Sequence, residues 1–400
     1  MVLNDILVTA MGILTGLGLG KNETLQSLLN QKSAIGELKH LKTIHHELPV
    51  SEVRLSDEEM ISLLNYDSTK PLTRTTLLGM LALKEALEEA KIHKDTPKRI
   101  AFISGTTVGG MDKNEDYYKE FFQNNSKDEY ISLHDCAAST QAIADYFGGF
   151  DFITTISTAC SSAANAVILG ANLIKANLVD IAVVGGTECL SKFHLNGFNT
   201  LMILDKEPCK PFDKDRQGLN LGEGAAYIVL EKESSAKERN VKPICKLSGY
   251  ANTCDAFHQT ASSPNGEGAF LSMKRALEDS GLSINDIDYI NAHGTGTGNN
   301  DSSEASAIKR VFGENIPYVS STKSFTGHTT SAAGSVESVI SILALKNNFI
   351  PANLNFKTPM EDVALVPVQK TIHLPNIKHI MTNSFGFGGN DSSCIFSKII

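Results

Sequence analysis

The sequence predicts an α/β fold built from two similar halves. Strand-like apolar runs alternate with helical segments through residues 1–240, and the same alternation starts again over residues 241–400. In each half, one strand leads into a turn with a reactive side chain and then into a helix of small residues. Cys160 occupies this turn in the first half, and Lys323 occupies it in the second. The repeat indicates an internal duplication, so we predict two domains with these bounds.

Composition and charge are those of a globular protein. With 42% hydrophobic and 20% charged residues, a chain of 400 residues can bury a large core. The net charge of −9, without a dense Lys/Arg cluster, argues against nucleic-acid binding. The seven cysteines form no C-x-x-C pair, which argues against a disulfide framework or a zinc site. Without a basic leader or a long uncharged apolar run, we expect a cytoplasmic protein that does not insert into membranes.

The elements of the first half follow from short apolar runs and one long amphipathic pattern. A helix is predicted at residues 75–90, where Leu77, Leu81 and Leu87 belong to a broad apolar face. We expect residues 38–65 to be irregular. The other predicted elements are strands at 6–10, 99–104, 152–157, 180–184 and 225–231, and helices at 23–30, 137–146 and 163–176.

The second half begins after a Lys-rich turn at residues 231–243. Its short apolar runs predict strands, and its longer segments with small or periodic apolar residues predict helices. The predicted strands lie at 244–249, 287–292, 318–321, 379–384 and 394–397, and the predicted helices at 268–279, 302–312 and 331–345.

Cys160 is the candidate nucleophile. It follows the β-branched run of residues 152–156 and opens the small-residue helix at 163–176. At a helix N-terminus, unpaired N–H groups and the helix dipole favour the thiolate, so we expect a lowered pKa. The alternative is a small hydrophobic residue that fills a helix–strand contact.

Two histidine motifs could serve such a nucleophile. The first is Asn291-Ala-His293-Gly-Thr-Gly-Thr, a glycine-rich turn after a strand, and it lacks the Lys-Ser/Thr ending of a phosphate-binding Walker loop. The second runs from Lys323 to His328 and continues into a helix. A buried lysine needs an anionic partner, and we expect Glu304 to provide it.

A third motif is Asn383-Ser-Phe385-Gly-Phe387-Gly-Gly. It predicts a tight turn between two strands. Exposed backbone N–H groups in such a turn can form part of an oxyanion hole.

These motifs, in this order, resemble those of the β-ketoacyl-acyl-carrier-protein synthases of the thiolase superfamily. The resemblance covers nearly the whole chain. It includes the Thr-Ala-Cys-Ser-Ser turn, the His-Gly-Thr-x-Thr turn, the Lys-x-x-x-x-His segment with its Ala-Ala-Gly helix, and the Phe-Gly-Phe-Gly-Gly turn. It implies a duplicated thiolase-like fold with a layered α-β-α-β-α core.

The resemblance also implies a role for each site residue. Cys160 corresponds to the acylated nucleophile, His293 and His328 to the paired catalytic histidines, and Lys323 to the lysine behind them. Phe387 corresponds to the aromatic gate whose N–H shares the oxyanion hole with Cys160. The resemblance further implies that substrate contacts Thr295, Thr297 and Phe385, and that Glu304 gives structural support.

The implied activity is a decarboxylative Claisen condensation. An acyl group bound to Cys160 would be extended by two carbons from malonyl-acyl carrier protein, as in fatty acyl, polyketide or polyene synthesis. The enzyme would bind no cofactor of its own, because its substrates are carried on the phosphopantetheine of acyl carrier protein. The implied assembly is a homodimer, or a heterodimer with a subunit that resembles a chain length factor.

Some positions depart from the family pattern. Residues 121–144 form a shorter segment without the usual proline-containing run, and Met11, Gly296 and residues 389–391 also differ. These changes lie around the nucleophile and histidines, so the chain length of the acyl substrate stays open. A polyketide or aryl-polyene pathway is one possibility.

Two other functions are compatible with the fold. A thiolase acting on coenzyme A thioesters would need a second reactive cysteine near the C-terminal turn, and Cys394 lies beyond that turn. A partner subunit that only shapes the acyl tunnel of a heterodimer would characteristically lack the nucleophile.

Two interaction surfaces are predicted. The apolar run 152–156 is expected to be a fully buried strand at a two-fold dimer interface. An acidic carrier protein requires a local positive patch on this acidic chain. The candidate cations are Lys70, Arg74, Lys206, Lys210, Lys214 and Arg216.

Overall fold

A computed structural model describes residues 5–67, 70–123 and 127–399. The first four residues lie outside the described residues. The expectation that the sequence has no basic leader concerned these residues among others. In the first half, the strands are β1 (Ile6–Thr15), β2 (Gly18–Leu19), β3 (Ile100–Gly105), β4 (Phe152–Ile156), β5 (Ile181–Glu188) and β6 (Gly224–Lys232). The helices are α1 (Lys21–Leu29), α2 (Asp57–Leu64), α3 (Arg74–Ala90), α4 (Met111–Gln123), α5 (Cys136–Phe147), α6 (Ser162–Lys175), α7 (Lys192–Thr200) and α8 (Glu233–Glu238).

The second half repeats this alternation of strands and helices. Its strands are β7 (Cys245–Cys254), β8 (Tyr289–Asn291), β9 (Tyr318–Ser320), β10 (Phe349–Ile350), β11 (Ile372–His373), β12 (His379–Gly386) and β13 (Asn390–Ser397). Its helices are α9 (Glu267–Ser280), α10 (Gly298–Phe312), α11 (Lys323–Thr326) and α12 (Ala333–Asn347).

The strand order shows the internal repeat directly. One continuous sheet runs β4-β3-β5-β6-β1-β7-β13-β12-β8-β9, with the short β2 paired to β1. When the five main strands of each half are numbered along the chain, both halves read 3-2-4-5-1 from the outer edge to the centre. The first strands of the two halves, β1 and β7, pair antiparallel at the junction. The predicted α/β fold with two similar halves is therefore confirmed, whereas the domain boundary at residue 240 stays a prediction.

Helices α6 and α12 form the middle of the molecule. They contact each other, and both also contact strands from the two halves of the sheet. Residues 333–345 of α12 are buried on every side, and all of them except Glu337 are apolar or small, as is typical of a central helix. On the outside, α3 covers the first half and α9 and α10 cover the second. The arrangement is the expected α-β-α-β-α layering, and the turns that carry Cys160, His293 and Lys323 follow the outer strands β4, β8 and β9.

The prediction that residues 152–156 are fully buried is wrong for the single chain. Strand β4 is an edge strand that pairs only with β3, so one side of it has no neighbouring strand within the chain. Phe152 is 39% exposed and Ile153 is 36% exposed. The apolar run identified a strand correctly, but the sequence could not show that this strand lies at the edge of the sheet.

Five helices of the described residues were missing from the sequence prediction, namely α2, α4, α7, α8 and the four-residue α11. Helix α2 lies in the segment expected to be irregular, although Ser56 and Glu59 form a capping box at its start. This Ser-x-x-Glu signal could have identified it. Helices α4 and α7 carry many polar residues, and few of their side chains are buried. The Lys-rich turn at 231–243 also contains the short helix α8.

Candidate active site

Cys160 lies in a tight turn between β4 and α6. The preceding residue, Ala159, has a φ of 51°, in the left-handed region that costs a side-chain-bearing residue energy. The hydroxyl of Ser384 donates to the carbonyl oxygen of Cys160 at 2.9 Å, which ties the turn to β12. The turn places a buried thiol just before α6, with the N-cap residue Ser161 between Cys160 and the first helical residue Ser162.

The two predicted histidines lie beside this thiol. Nε2 of His328 is 3.1 Å from Sγ of Cys160. The rings of His293 and His328 are almost perpendicular, with centroids 5.3 Å apart. One nitrogen of each ring and the sulfur lie within 4.8 Å of one another, and all three residues are buried. Tertiary folding thus gathers three residues that are far apart in the sequence.

Lys323 holds His293 from behind. Its Nζ lies 3.1 Å from Nδ1 of His293 and forms an ion pair with Glu337 on α12. An ammonium group can only donate hydrogen bonds, so Nδ1 of the neutral ring must accept one. The ring hydrogen of His293 is then on Nε2, where it can be donated to a ligand in the cavity.

The predicted partner of Lys323 is therefore wrong. Glu304 instead accepts hydrogen bonds from the backbone N–H groups of His293 at 2.9 Å and Gly294 at 2.7 Å. Asn383 also donates to it at 3.2 Å. Glu304 lies on α10, which begins directly after the histidine turn, so its carboxyl folds back onto that turn. It supports the backbone of the first histidine motif and makes no ion pair with the lysine.

Burial controls the protonation of the site. Desolvation, together with the nearby ammonium of Lys323, holds the pKa of both His293 and His328 well below the usual histidine range. Both rings are therefore neutral at pH 7. Burial also raises the pKa of Glu304 and of Glu337 to about 7 in each case.

The expected lowering of the Cys160 pKa is wrong. Burial raises the pKa of this thiol to about 11, although Lys323 and the N–H of Phe387 act in the opposite direction. Loss of hydration outweighs these stabilising contacts, so the resting group is a thiol.

The turn of residues 386–389 closes the site from the other side. The backbone N–H of Phe387 lies near the sulfur of Cys160 and acts to lower the pKa of its thiol. The ring of Phe387 stacks on Phe198 of α7, with centroids 6.0 Å apart. Phe198 was not identified from the sequence, because α7 was not predicted and nothing near it marks a site. The two rings form an aromatic wall next to the nucleophile.

The site opens into a cavity of about 140 Å³. Phe198, Ile203, Leu219 and Phe385 give it apolar walls. Thr295 and Thr297 line another part of it, with their hydroxyl oxygens 2.9 Å apart. The structure therefore places the three predicted substrate-contacting residues, Thr295, Thr297 and Phe385, in one cavity with the nucleophile and both histidines.

Another buried carboxylate, Glu188, contacts the segment that follows His328. Glu188, at the end of β5, accepts hydrogen bonds from the hydroxyls of Thr106 and Ser331 and from the backbone N–H of Thr107. Ser331 lies three residues after His328. The sequence analysis did not identify Glu188, nor the buried His194 nearby, because their partners come from distant segments.

The predicted positive patch is mostly neutralised. Arg74 is buried and pairs with Glu223 and Asp57, so it is not a surface cation. Lys210 pairs with Glu207, and Lys214 pairs with Glu361.

Arg216 is also structural, because it donates to backbone carbonyls of Asp213, Thr297 and Gly298. Lys70 and Lys206 are exposed. Only these two predicted cations keep a position suited to a docking surface.

None of the helices in the described ranges has the length and apolar character needed to cross a lipid bilayer.

Comparisons with known proteins place the whole chain in one group. Residues 3–236 match the model of the β-ketoacyl synthase N-terminal domain, and residues 244–357 match that of the C-terminal domain. A curated protein from Coxiella burnetii, 3-oxoacyl-[acyl-carrier-protein] synthase 2, is 32% identical, with 98% of each chain covered.

Solved structures agree with this result. The structure titled the ishigamide ketosynthase/chain length factor superimposes with a TM-score of 0.91 at 27% identity, covering 99% of this chain and all of the other. The ketosynthase ApeO in complex with its chain length factor ApeC, from Xenorhabdus doucetiae, gives a TM-score of 0.86 at 31% identity. That alignment covers 99% of this chain and 98% of the other.

Proposed function

The chain belongs to the β-ketoacyl synthase family, and from this premise we propose that it condenses a Cys160-bound acyl group with a malonyl thioester. The observation that carries the proposal is the contact of 3.1 Å between Cys160 and His328, beside a His293 ring that Lys323 holds as a hydrogen-bond donor. The curated relative is named as an acyl-carrier-protein enzyme, so we propose carrier-bound substrates with no further cofactor held by the enzyme, and a cytoplasmic location.

The first step transfers the acyl group to the enzyme. Sγ of Cys160 attacks the thioester carbonyl, and the bond between that carbonyl and the carrier sulfur breaks. The thiol proton ends on the departing carrier thiol, with His328 placed to pass it. The backbone N–H groups of Cys160 and Phe387 are placed to stabilise the negative oxygen of the tetrahedral intermediate.

The second step forms the new carbon–carbon bond. The malonyl thioester carbonyl accepts hydrogen bonds from His293 and His328, and carbon dioxide leaves as the enolate forms. The enolate carbon attacks the Cys160 thioester, which releases the sulfur and leaves a β-ketoacyl group two carbons longer on the carrier. Neutral histidines suit this step because they stabilise the enolate oxygen without carrying a proton acidic enough to quench the carbanion.

Cysteine and two histidines could also coordinate zinc. Coordination through Nε2 of His293 would require the lone pair on that atom. The ammonium of Lys323 needs Nδ1 as its acceptor, so Nε2 carries the hydrogen instead. We therefore propose hydrogen-bond donation by this set, without a metal.

The two alternative functions have weaker support. Cys394 is buried in β13 and is not among the residues that line the cavity, so it does not provide the second reactive thiol of a thiolase. The solved complex of ApeO with ApeC makes a heterodimer credible for a protein of this kind. The presence of Cys160, His293 and His328 in one cavity favours the catalytic subunit over the tunnel-shaping one.

The function can be tested with purified protein, acyl carrier protein thioesters and malonyl-carrier protein. We expect intact-mass spectrometry to show one acyl adduct, followed by a carrier-bound product two carbons longer when malonyl-carrier protein is added. A panel of saturated, β-keto and polyene acyl groups would define the substrate class. The control is the matching coenzyme A thioester, which we expect to react poorly. No adduct with any carrier, or a strong preference for coenzyme A, would overturn the proposal.

We also propose that the protein functions as a dimer through β4. The exposed apolar residues of this edge strand would be covered when it pairs with β4 of a second subunit. Light scattering at micromolar concentration should give twice the mass of one chain, and Ile153→Lys should shift the protein to monomers. The exposed Val366→Lys, on a separate surface, is the matched control. A fully active wild-type monomer would contradict the proposal, and the mass of a mixed complex would identify a heterodimer.

A further inference from the structure

Two turns from opposite halves of the chain must keep a fixed distance and orientation relative to each other at this site. The nucleophile turn, residues 157–161, carries Cys160. The gate turn, residues 387–389, carries the backbone N–H of Phe387, and Phe387 lines the same cavity as Cys160. An oxyanion hole needs its donors positioned within a few tenths of an ångström, and neither turn is held by a ladder of strand hydrogen bonds at this point.

Asn390, the first residue of β13, joins the two turns. Its side-chain Oδ1 lies within hydrogen-bond distance of three donors, Ser161 Oγ at 2.7 Å, Asn165 Nδ2 at 2.6 Å and Asn252 Nδ2 at 2.8 Å. The single hydroxyl hydrogen of Ser161 is shared between Asn390 and the carbonyl oxygen of Thr158, which is 2.8 Å away. Ser161 directly follows the nucleophile, and Asn165 lies in the first turn of α6. Asn252 lies on β7, so donors from both halves converge on one amide oxygen.

The orientation of these amides is set by their other contacts. Oδ1 of Asn165 accepts from the hydroxyl of Ser392 at 2.9 Å, so its Nδ2 is the atom directed at Asn390. The same Nδ2 also donates to Thr158 Oγ1 at 2.9 Å, within the nucleophile turn. An amide oxygen offers two lone pairs, so three donors saturate it and leave little freedom for the side chain.

We propose that Asn390 is a positioning residue that fixes the nucleophile turn against the gate turn. It touches no reacting atom in this arrangement. On one side it acts through its contact with Ser161, which follows Cys160. On the other side it acts through its own backbone, because Asn390 directly follows Gly389, the last residue of the gate turn. The inference rests on the proposed function, because it concerns the geometry of the oxyanion hole that acyl transfer uses.

The test compares two reactions of the same thiol. Acyl transfer from a carrier thioester needs the oxyanion hole, whereas alkylation by iodoacetamide needs an accessible sulfur that can ionise but forms no oxyanion. Asn390→Leu removes the acceptor but keeps the side-chain volume. We expect the maximal acylation rate to fall roughly 10-fold, with the half-saturating carrier concentration and the alkylation rate changed less than about 2-fold.

A double-mutant cycle tests the route through Ser161. If Asn390 acts through this hydroxyl, Ser161→Ala combined with Asn390→Leu should lower the acylation rate little more than Asn390→Leu alone. The matched control is Asn315→Ala, which removes an exposed amide that donates to Asn285 far from the site, and it should change neither rate.

The outcomes separate this inference from the proposed function. Equal losses of acylation and alkylation in Asn390→Leu would show a general loss of folded protein and overturn the positioning role. An unchanged acylation rate would overturn it as well, and so would fully multiplicative losses in the double mutant. Failure of the wild-type protein to accept any acyl group would instead overturn the proposed function.

Discussion

Cys160→Ala is expected to abolish acyl transfer and condensation, with a loss of at least about 10³-fold. The variant lacks the atom that forms the thioester, and no other thiol lines the cavity among the described residues. Intact-mass spectrometry after incubation with an acyl-carrier protein should show no adduct. Malonyl decarboxylation should persist within about 10-fold of the wild-type rate, because both histidines and their supports remain in place.

The control for this variant is Cys136→Ala. Cys136 is a half-buried free thiol at the start of α5 and does not line the cavity. Its removal should leave one acyl adduct per chain and an unchanged condensation rate. An acyl adduct on another cysteine of Cys160→Ala, accompanied by continued condensation, would show that the nucleophile was assigned wrongly.

His293→Ala and His328→Ala are expected to lose malonyl decarboxylation by at least about 10²-fold each, because each removes one donor to the enolate oxygen. Self-acylation should fall less, by no more than about 10-fold. His328→Ala should show the larger acylation loss of the two, since Nε2 of His328 lies 3.1 Å from the sulfur. Release of carbon dioxide and formation of the acyl adduct are measured separately.

Two further variants make this prediction sharper. His293→Gln keeps a neutral N–H donor and should recover part of the decarboxylation rate, which a purely structural role of the ring would not predict. His379→Ala removes a half-buried histidine at the start of β12, where its ring contacts the hydroxyl of Ser397, and it should leave both steps unchanged. Equal losses of acylation and decarboxylation in the two alanine variants would count against a specific role on the enolate.

Much of the site could be predicted from the sequence because local patterns define it. The turns that carry Cys160 and His293 each follow a strand, and small residues or glycines mark the tight backbone that such turns need. The long helix α3 and all strands except the two-residue β2, β10 and β11 were also evident, since apolar periodicity is a local property. Helix α2 was missed although its capping box was present in the sequence.

The sequence by itself determined the reactive side chains, their order along the chain and the two-fold repeat of elements, because these depend on residue type and local pattern. The tertiary structure determined which carboxylate pairs with the buried lysine and what the other carboxylate binds. Lys323 pairs with Glu337 because α12 runs through the middle of the molecule, while Glu304 folds back onto its own turn. It also decided the high pKa of Cys160, since the cost of desolvation depends on everything packed around the thiol.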